Sequence, residues 1–186
     1  EKTCEAKTWF NLLPYTDRLN YVSPLLNNLG YALAVEKLVG VEVPPRARLI
    51  RILMGELSRV ADHLTCVAAM AMECGAFTVF LYMMKAREFL WDVIESTAGA
   101  RMTTSYIRIG GVRADLHPGW RAAAASAVKE TRRVLKDVSG LLDRNSIFLG
   151  RTRGVGVISR ADALSFGWTG PCLRSTGVGY DVRKAH

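Results

Sequence analysis

Four stretches of the sequence place apolar residues at the intervals of an α-helix. The first runs from Val22 to Leu38 and is followed by Gly40, which suits a helix end. The second starts at a proline pair, residues 44–45, which suits a first helical turn, and continues towards Gly75. The residues at helical spacing in this second stretch are Leu49, Ile52, Leu53, Glu56, Leu57, Val60 and Leu64.

The next two helices are predicted from their ends as well as from their spacing. Thr78 suits the N-cap of a third helix that ends before Gly99. Pro118 suits the first turn of a fourth helix. The fourth helix has a basic solvent side formed by Lys129, Arg132, Arg133 and Lys136. Four amphipathic helices predict a mainly α fold, a helical bundle.

The last part of the chain has a different character, because it is rich in glycine. Ser159 and Asp162 have the spacing of a capping box for a short helix that stops at Gly167. The remaining residues there predict loops and short strands. We therefore expect one incomplete domain of a larger subunit, with a helical core at residues 1–150 and a small irregular α+β tail at residues 151–186.

Composition and charge narrow the classes of function. Of the 186 residues, 49% are hydrophobic, which is enough for a core, and the net charge is +8. That charge fits an acidic partner, nucleic acid or an anionic membrane surface. No run of five basic residues occurs, so a solvated basic surface is favoured over a nucleic-acid-binding stripe. The longest apolar stretch, Val60 to Met84, contains several charged or polar residues and predicts no membrane span, so we expect a soluble or peripheral chain.

The cysteines do not form a metal-binding pattern. There are four, with no C-x-x-C pair and no histidine at ligand spacing. A chain of this length and hydrophobicity does not need disulfides, so we expect reduced, mostly buried thiols and no metal site formed by this chain alone. No phosphate-binding glycine loop is present, which argues against nucleotide binding. The four residues are Cys4, Cys66, Cys74 and Cys172.

Two polar residues lie in places that suggest more than packing. Glu73 interrupts the apolar series VAAMAMECGAF, where a carboxylate needs a buried arginine or serves as a proton carrier; the structural role is favoured. Tyr21, in the stretch DRLNYVSP, precedes the first helix, and a core role is again favoured. An antiparallel hairpin of the first two helices brings both residues towards its open end, with the second helix overshooting by roughly two turns.

Several long blocks, taken in order, resemble one family. DRLNYVSP, MECGAFT, GARMTTSYIRIGGVRADL and GYDVRK resemble the 49-kDa subunit of respiratory complex I, the proton-pumping NADH:ubiquinone oxidoreductase. That subunit is related to the large subunit of nickel-iron hydrogenases, so the resemblance implies a bundle of that type. It covers nearly the whole chain, which corresponds to only the middle of the family protein.

The resemblance implies roles for single residues. Tyr21 would donate a hydrogen bond and a proton to the quinone headgroup, and Ser23 and Phe80 would belong to the wall of the quinone pocket. Arg18 would lie near the terminal iron-sulfur cluster and favour its reduced state. Glu73 stands where the family has an aspartate paired with a histidine from an amino-terminal loop, so a proton relay with altered geometry is expected.

Thr103 departs from the family in the block GARMTTSY, where a histidine near the cluster is usual. Threonine donates a hydrogen bond but does not titrate in that pH range, so we expect cluster reduction to depend less on pH. The chain itself is expected to bind no cofactor. The resemblance implies ubiquinone at a shared site and a 4Fe-4S cluster on a neighbouring subunit.

The resemblance also implies partners and a location. The partners are the cluster-bearing small hydrogenase-like subunit, a 30-kDa-type subunit and the membrane subunit of the quinone tunnel, and no nucleic acid is expected. Other chains would supply the missing amino- and carboxy-terminal parts if the subunit is split. The location is the peripheral arm on the matrix side of the mitochondrial inner membrane, or the cytoplasmic side of a bacterial membrane.

Three functions follow from the sequence. The first is a core quinone-site subunit of an enzyme complex, inactive on its own. The second is a non-catalytic scaffold within the same complex, which the departures at Glu73 and Thr103 keep open. The third and most distant is a basic helical nucleic-acid binder.

Overall fold

The computed structural model describes residues 2–185, and helices dominate this part of the chain. The predicted mainly α fold is confirmed. The chain forms two compact units, Glu1–Phe148 and Leu149–His186. The helices of the described residues are α1 Lys2–Glu5, α2 Trp9–Thr16, α3 Pro24–Val39, α4 Pro45–Glu73, α5 Phe77–Ala98, α6 Trp120–Leu142, α7 Ser146–Thr152, α8 Arg160–Ser165, α9 Gly170–Ser175 and α10 Val182–Ala185, and the strands are β1 Ile107–Arg108 and β2 Gly111–Val112.

The core of the first unit lies between its long helices. Helix α5 packs against α4 on one side and α6 on the other, and α3 packs on α4. The side chains of Leu25, Met54 and Leu90 are fully buried in this core. Each contributes about 1.5–3 kcal/mol by removing its apolar surface from water.

Helix α4 confirms the second predicted helix, but the residues that gave its spacing divide between two faces. Leu57 and Leu64 are buried with Ala61 and Ala68, whose small side chains let α5 approach closely. The neighbouring face is exposed although it is apolar. We call this the apolar face of α4; it consists of Leu49, Ile52, Leu53, Val60, Val67 and Met70.

The ends of α5 agree with the sequence at only one side. Gly99 has a left-handed φ of +76° and its N–H donates to the carbonyl of Glu95 at 2.8 Å, as expected for a glycine that ends a helix. The prediction that Thr78 caps the helix is wrong, because α5 begins at Phe77 directly after Ala76. The N–H of Ala76 still bonds to α4, through Ala71, so the turn between the helices is too tight to leave a capping position at 78.

Helix α6 begins two residues later than predicted. Gly119 has a φ of +87°, so the chain turns there and the helix starts at Trp120 rather than at Pro118. Its predicted basic solvent side is exposed. Its buried positions are Trp120, Ala127, Thr131, Val134 and Val138.

The connection between α5 and α6, residues 99–119, contains the antiparallel pair of β1 and β2, in which Ile107 lies opposite Val112. The strands predicted for the tail are wrong: the part of 149–185 that the structure describes is helical with turns and bends. The capping box in the tail is confirmed, since the N–H of Asp162 donates to Ser159 Oγ at 3.1 Å.

A buried ion pair holds this connection to the helices. Arg51 of α4 donates to Glu36 of α3 at 2.5 and 2.9 Å, and also to the carbonyls of Arg108 and Gly111 at 2.6 and 3.1 Å. The N–H of Gly110 donates to Glu36 at 2.7 Å. Burial alone raises the pKa of Glu36, but these hydrogen bonds and nearby arginine charges outweigh it and hold that pKa below its ordinary value.

Tyr106 fixes the same connection from inside. Its ring is fully buried, and its hydroxyl donates to the carbonyl of Ala114 at 2.6 Å. Burial, with a smaller effect from the charge of Asp115, raises the pKa of Tyr106 to about 12. The connection between α5 and α6 is therefore an ordered part of the first unit.

The thiols do not follow the sequence prediction. Cys4, Cys66 and Cys172 are exposed and Cys74 is half-buried, so the expectation of mostly buried thiols is wrong. Cys66 shows the reason, because it lies on the outer side of α4 between the core residues Leu64 and Ala68. No helix in residues 2–185 is both long and apolar enough to cross a membrane.

Candidate functional site

The short connection between α2 and α3, residues 17–23, contains three of the predicted site residues. Tyr21 has 60% of its side chain exposed, so its hydroxyl can meet a ligand or a partner. Arg18 is exposed as well and donates one hydrogen bond to the carbonyl of Pro14. Ser23 is buried and precedes the first residue of α3 without capping it through its side chain. The connection therefore presents Arg18 and Tyr21 outward.

Asp17 joins this connection to a distant part of the chain. It is fully buried, and its carboxylate accepts the N–H of Ser105 at 3.0 Å and the hydroxyl of Ser105 at 2.5 Å. Thr103 lies two residues before Ser105 and is exposed. The fold thus brings the segment of Arg18 and the segment of Thr103 together, as their proposed common neighbour requires.

The end of α2 is fixed against α3 by further buried polar groups. Asn28 of α3 is fully buried and donates to Thr16 Oγ1 at 2.8 Å and to the carbonyl of Leu13 at 3.3 Å. Thr16 donates to the same carbonyl at 2.8 Å. Buried polar groups of this kind specify one arrangement of the backbone, so the start of the connection is fixed before Asp17 is reached.

The loop of Thr103 is held on its other side by α5. Arg101 donates to Asp92 and Glu95 at 2.7 Å each and also bonds to Glu88. All three carboxylates lie on α5, within two turns of each other. Thr103 therefore stands between two fastened residues, Arg101 and Ser105.

A cavity of about 640 Å³ opens beside these residues. Its lining contains three cationic side chains and no carboxylate, and it combines them with aromatic and apolar groups. Such a wall suits an anionic or electron-rich neighbour. The lining residues are Lys7, Phe10, Asn11, Leu13, Pro14, Tyr15, Arg18, Ser105 and Arg108.

Tyr21 and Glu73 are not brought together. Asn20 donates to Asp62 of α4 at 3.2 Å, which sets the level of the connection along that helix. Glu73 lies eleven residues further along α4, or about 16 Å at the rise of an α-helix. The overshoot is thus closer to three turns than to the two predicted, and the gap leaves space for a ligand or another segment.

Glu73 itself differs from the sequence prediction. It is exposed, so the expectation of a carboxylate buried in an apolar series is wrong, and no ion pair within residues 2–185 includes it. The reason is its position: Ala71 is the last buried residue of α4, and Glu73 ends the helix. The exposed carboxylate can accept a partner from outside.

Phe80 lies at the same end of the α4–α5 pair as Glu73. It is partly buried against the core and stacks on Phe77, with ring centroids 6.0 Å apart. A second cavity, of about 330 Å³, opens at this turn. Its lining is mainly apolar and consists of residues 74–79, Leu141, Leu142, Asn145, Ile147 and Phe148.

The sequence pointed to the exposed residues of the site and missed Asp17 and Asn28. The motif DRLNYVSP contains Asp17, but nothing in its spacing points to Ser105, which lies 88 positions away. Asn28 is a polar residue within an apolar helix, which is the only signal that the sequence offers for it.

Comparison with known proteins identifies the class. The family of the respiratory-chain NADH dehydrogenase 49 Kd subunit matches residues 73–186, from the end of α4 onward. The chain belongs to this family. The resemblance inferred from the sequence blocks is confirmed.

Particular relatives, all D-type subunits of NADH-quinone oxidoreductases, extend the match to the whole chain. The one numbered 2 in Anaeromyxobacter sp. (strain K) is 52% identical over 185 residues, which is 100% of this chain and 43% of the relative. The one numbered 1 in Sorangium cellulosum (strain So ce56) is 50% identical over 186 residues, 100% of this chain and 46% of the relative. The one in Myxococcus xanthus (strain DK1622) is 50% identical over 184 residues, 99% of this chain and 44% of the relative. The chain thus spans less than half the length of these relatives.

Proposed function

We propose that the chain forms one wall of a quinone headgroup site in a proton-pumping NADH:quinone oxidoreductase. The observation that supports this most directly is the exposed hydroxyl of Tyr21 on a connection that is fixed at Asp17 and Asn20. A phenol held in this way can donate a hydrogen bond to a quinone carbonyl and then its proton to the reduced oxygen. Tyr21 is the catalytic residue of this proposal.

Arg18 and Thr103 face the electron donor in this proposal. When a 4Fe-4S cluster on a neighbouring small subunit is in place, it supplies the electrons. The cavity beside Arg18 has cationic walls without carboxylates, which fits a neighbour that gains negative charge on reduction. Thr103 offers a hydroxyl but no titrating group, so the pH dependence of that reduction is expected to be weak.

Glu73 and Phe80 form the other part of the proposed site. Glu73 would pass protons together with a histidine of another segment, and its exposure leaves it open to such a partner. Phe80 would contribute apolar wall beside it. Ser23 is buried, so its contribution is to hold the backbone next to Tyr21 rather than to contact quinone with its side chain.

The proposal includes partners and a location. The chain would bind the cluster-bearing subunit, a 30-kDa-type subunit and the membrane subunit of the quinone tunnel, and other segments would complete the pocket. The three relatives named above are bacterial, which favours the cytoplasmic side of a bacterial membrane over the mitochondrial matrix.

The test is Tyr21→Phe in the assembled complex. We expect quinone reduction by NADH to fall by about 100-fold or more, because both the hydrogen bond and the proton are lost. NADH oxidation by an artificial acceptor that bypasses quinone should stay unchanged. Tyr82→Phe is the matched control, since Tyr82 is also an exposed tyrosine but lies on α5. Normal quinone turnover in Tyr21→Phe contradicts the catalytic role.

A scaffold without quinone contact is the second candidate. The separation of Tyr21 from Glu73 and the absence of a titrating group at Thr103 favour it. A photoreactive ubiquinone analogue distinguishes the two: labelling of the peptide that contains Tyr21 supports the quinone site, and labelling only of other subunits supports the scaffold. No feature of the described residues favours nucleic-acid binding.

A further inference from the structure

We infer that Asp17 is a positioning residue for the quinone site, because it locks the connection of Arg18 and Tyr21 to the loop of Thr103. The inference rests on the proposed function of Tyr21. Asp17 touches no ligand in this role. It acts through the backbone of two segments that are 88 positions apart in the sequence.

The geometry of the contact is that of a strong hydrogen-bonded clasp. One carboxylate oxygen of Asp17 accepts both the N–H of Ser105 at 3.0 Å and its hydroxyl at 2.5 Å, and the other oxygen lies 3.3 Å from the same N–H. Hydrogen bonds to an ionised acceptor are about twice as strong as neutral ones. Asp17 is fully buried, so water cannot replace these bonds.

The backbone of Ser105 shows that the clasp holds an unfavourable conformation. Its φ is +41°, the one positive φ of a non-glycine residue in residues 2–185. Residues with a Cβ avoid this region, and they keep such a conformation only where surrounding contacts impose it. The Asp17 carboxylate is the contact that binds both polar groups of Ser105.

The clasp determines the spacing of the site residues on both sides. Arg18 follows Asp17 directly, and Arg18, Ser105 and Arg108 line one cavity. On the far side of Arg18, Asn20 bonds to Asp62 of α4, so the backbone before Tyr21 is held at two points. Releasing Asp17 leaves only the weaker, exposed bond of Asn20 to orient Tyr21.

The experiment compares Asp17→Ala with Glu36→Gln in the assembled complex. Glu36 is a matched control, because it too is a buried carboxylate that accepts a backbone N–H from the connection of α5 and α6, at Gly110. Two quantities are measured for each variant: hydrogen exchange of the amides in residues 103–106 and in 108–111, and the KM and kcat for ubiquinone.

We expect Asp17→Ala to speed exchange at residues 103–106 and to change quinone kinetics by about tenfold or more, since small displacements of a positioned group cost that much. Glu36→Gln should speed exchange at residues 108–111 and leave the quinone KM unchanged. Asp17→Asn should restore part of both properties, because the amide oxygen can still accept the N–H of Ser105.

Two outcomes overturn the inference. Unchanged exchange at residues 103–106 shows that the clasp does not hold the loop. Faster exchange with unchanged KM and kcat shows that Asp17 acts in packing alone. If Asp17→Ala does not assemble, Asp17→Asn and Ser105→Ala, which removes only the hydroxyl bond, give the same comparison.

The proposed function fails separately. If Tyr21→Phe keeps normal turnover, the quinone role of Tyr21 is wrong whatever the exchange data show. If Tyr21→Phe is inactive while Asp17→Asn, Asp17→Ala and Ser105→Ala all match the unaltered complex, the quinone site stands and the positioning role of Asp17 is wrong.

Discussion

Glu36 and Arg51 illustrate how much one buried pair decides in this chain. Replacing Glu36 by Gln leaves the Arg51 guanidinium buried without a compensating charge, which typically costs about 3–5 kcal/mol of unfolding free energy. Urea denaturation of the variant measures this loss. Glu56→Gln is the control, because Glu56 and Arg59 form an exposed pair whose removal costs at most about 1 kcal/mol.

The pH dependence of the same variant gives the contradicting outcome. The lowered pKa of Glu36 means that the unfolded chain binds its proton more readily. The stability from this group is therefore present above the ordinary glutamate pKa of about 4.3 and is lost as the pH falls through the lower folded pKa. The difference in unfolding free energy between the unaltered chain and Glu36→Gln should shrink over that range. A difference that does not change with pH contradicts the role of the ionised pair.

Single residues could be predicted from the sequence where their own chemistry was unusual, as for Tyr21 and Glu73. Their surroundings could not, because those depend on partners far along the chain. Glu73 was expected in an apolar environment, and only the end of α4 explains why it is exposed. Asp17 and Glu36 gave no signal, since a carboxylate in a sequence looks the same whether its partner is water or a buried backbone group.

Glycines at the helix scale allow a prediction of opposite signs. Gly99 ends α5 with a φ of +76°, and Gly30 lies within α3 at an ordinary helical φ; neither has an atom within 4 Å of an added Cβ. Gly99→Ala should lower the unfolding free energy by about 1–2 kcal/mol, because alanine is strained there. Gly30→Ala should raise it by about 0.5–1 kcal/mol, because glycine is a poor helix former. Thermal unfolding of both variants tests the pair, and equal signs contradict the assigned backbone conformations.

Helix existence could be read from the sequence more securely than helix starts. Glycines after α3 and α5 ended those helices as predicted, since a left-handed residue is a local requirement. The starts of α5 and α6 depended on the tight turns before them, which no local pattern described. The short strands were misplaced for a related reason: a pair of two-residue strands is held by Arg51 and Glu36 and not by its own apolar residues.

At the scale of the whole molecule, the apolar face of α4 is the largest departure from an ordinary surface. Leu49 and Met70 are 62% and 65% exposed, and the six residues lie on one side of the helix over about six turns. The 186-residue chain alone should therefore associate in solution. Replacing Ile52 and Leu53 by Gln should reduce that association, measured by sedimentation velocity.

Stability gives the control for this prediction. Ile52 and Leu53 are exposed, so their replacement should change the unfolding free energy by no more than about 0.5 kcal/mol. Leu64→Ala, on the buried face of the same helix, should lower it by about 2–5 kcal/mol. A large loss of stability in the double variant would mean that this face is buried within the chain.

The contacts that hold the connection between α5 and α6 also set an order of folding. Asp17, Glu36 and Arg46 reach it across 88, 74 and 69 positions. The contacts within helices and between adjacent helices are far more local, and local contacts form first because they close smaller loops. The helices can thus be in place while the connection is still free. The spacing of Arg18, Tyr21 and Thr103 is consequently among the last features that a newly made chain acquires.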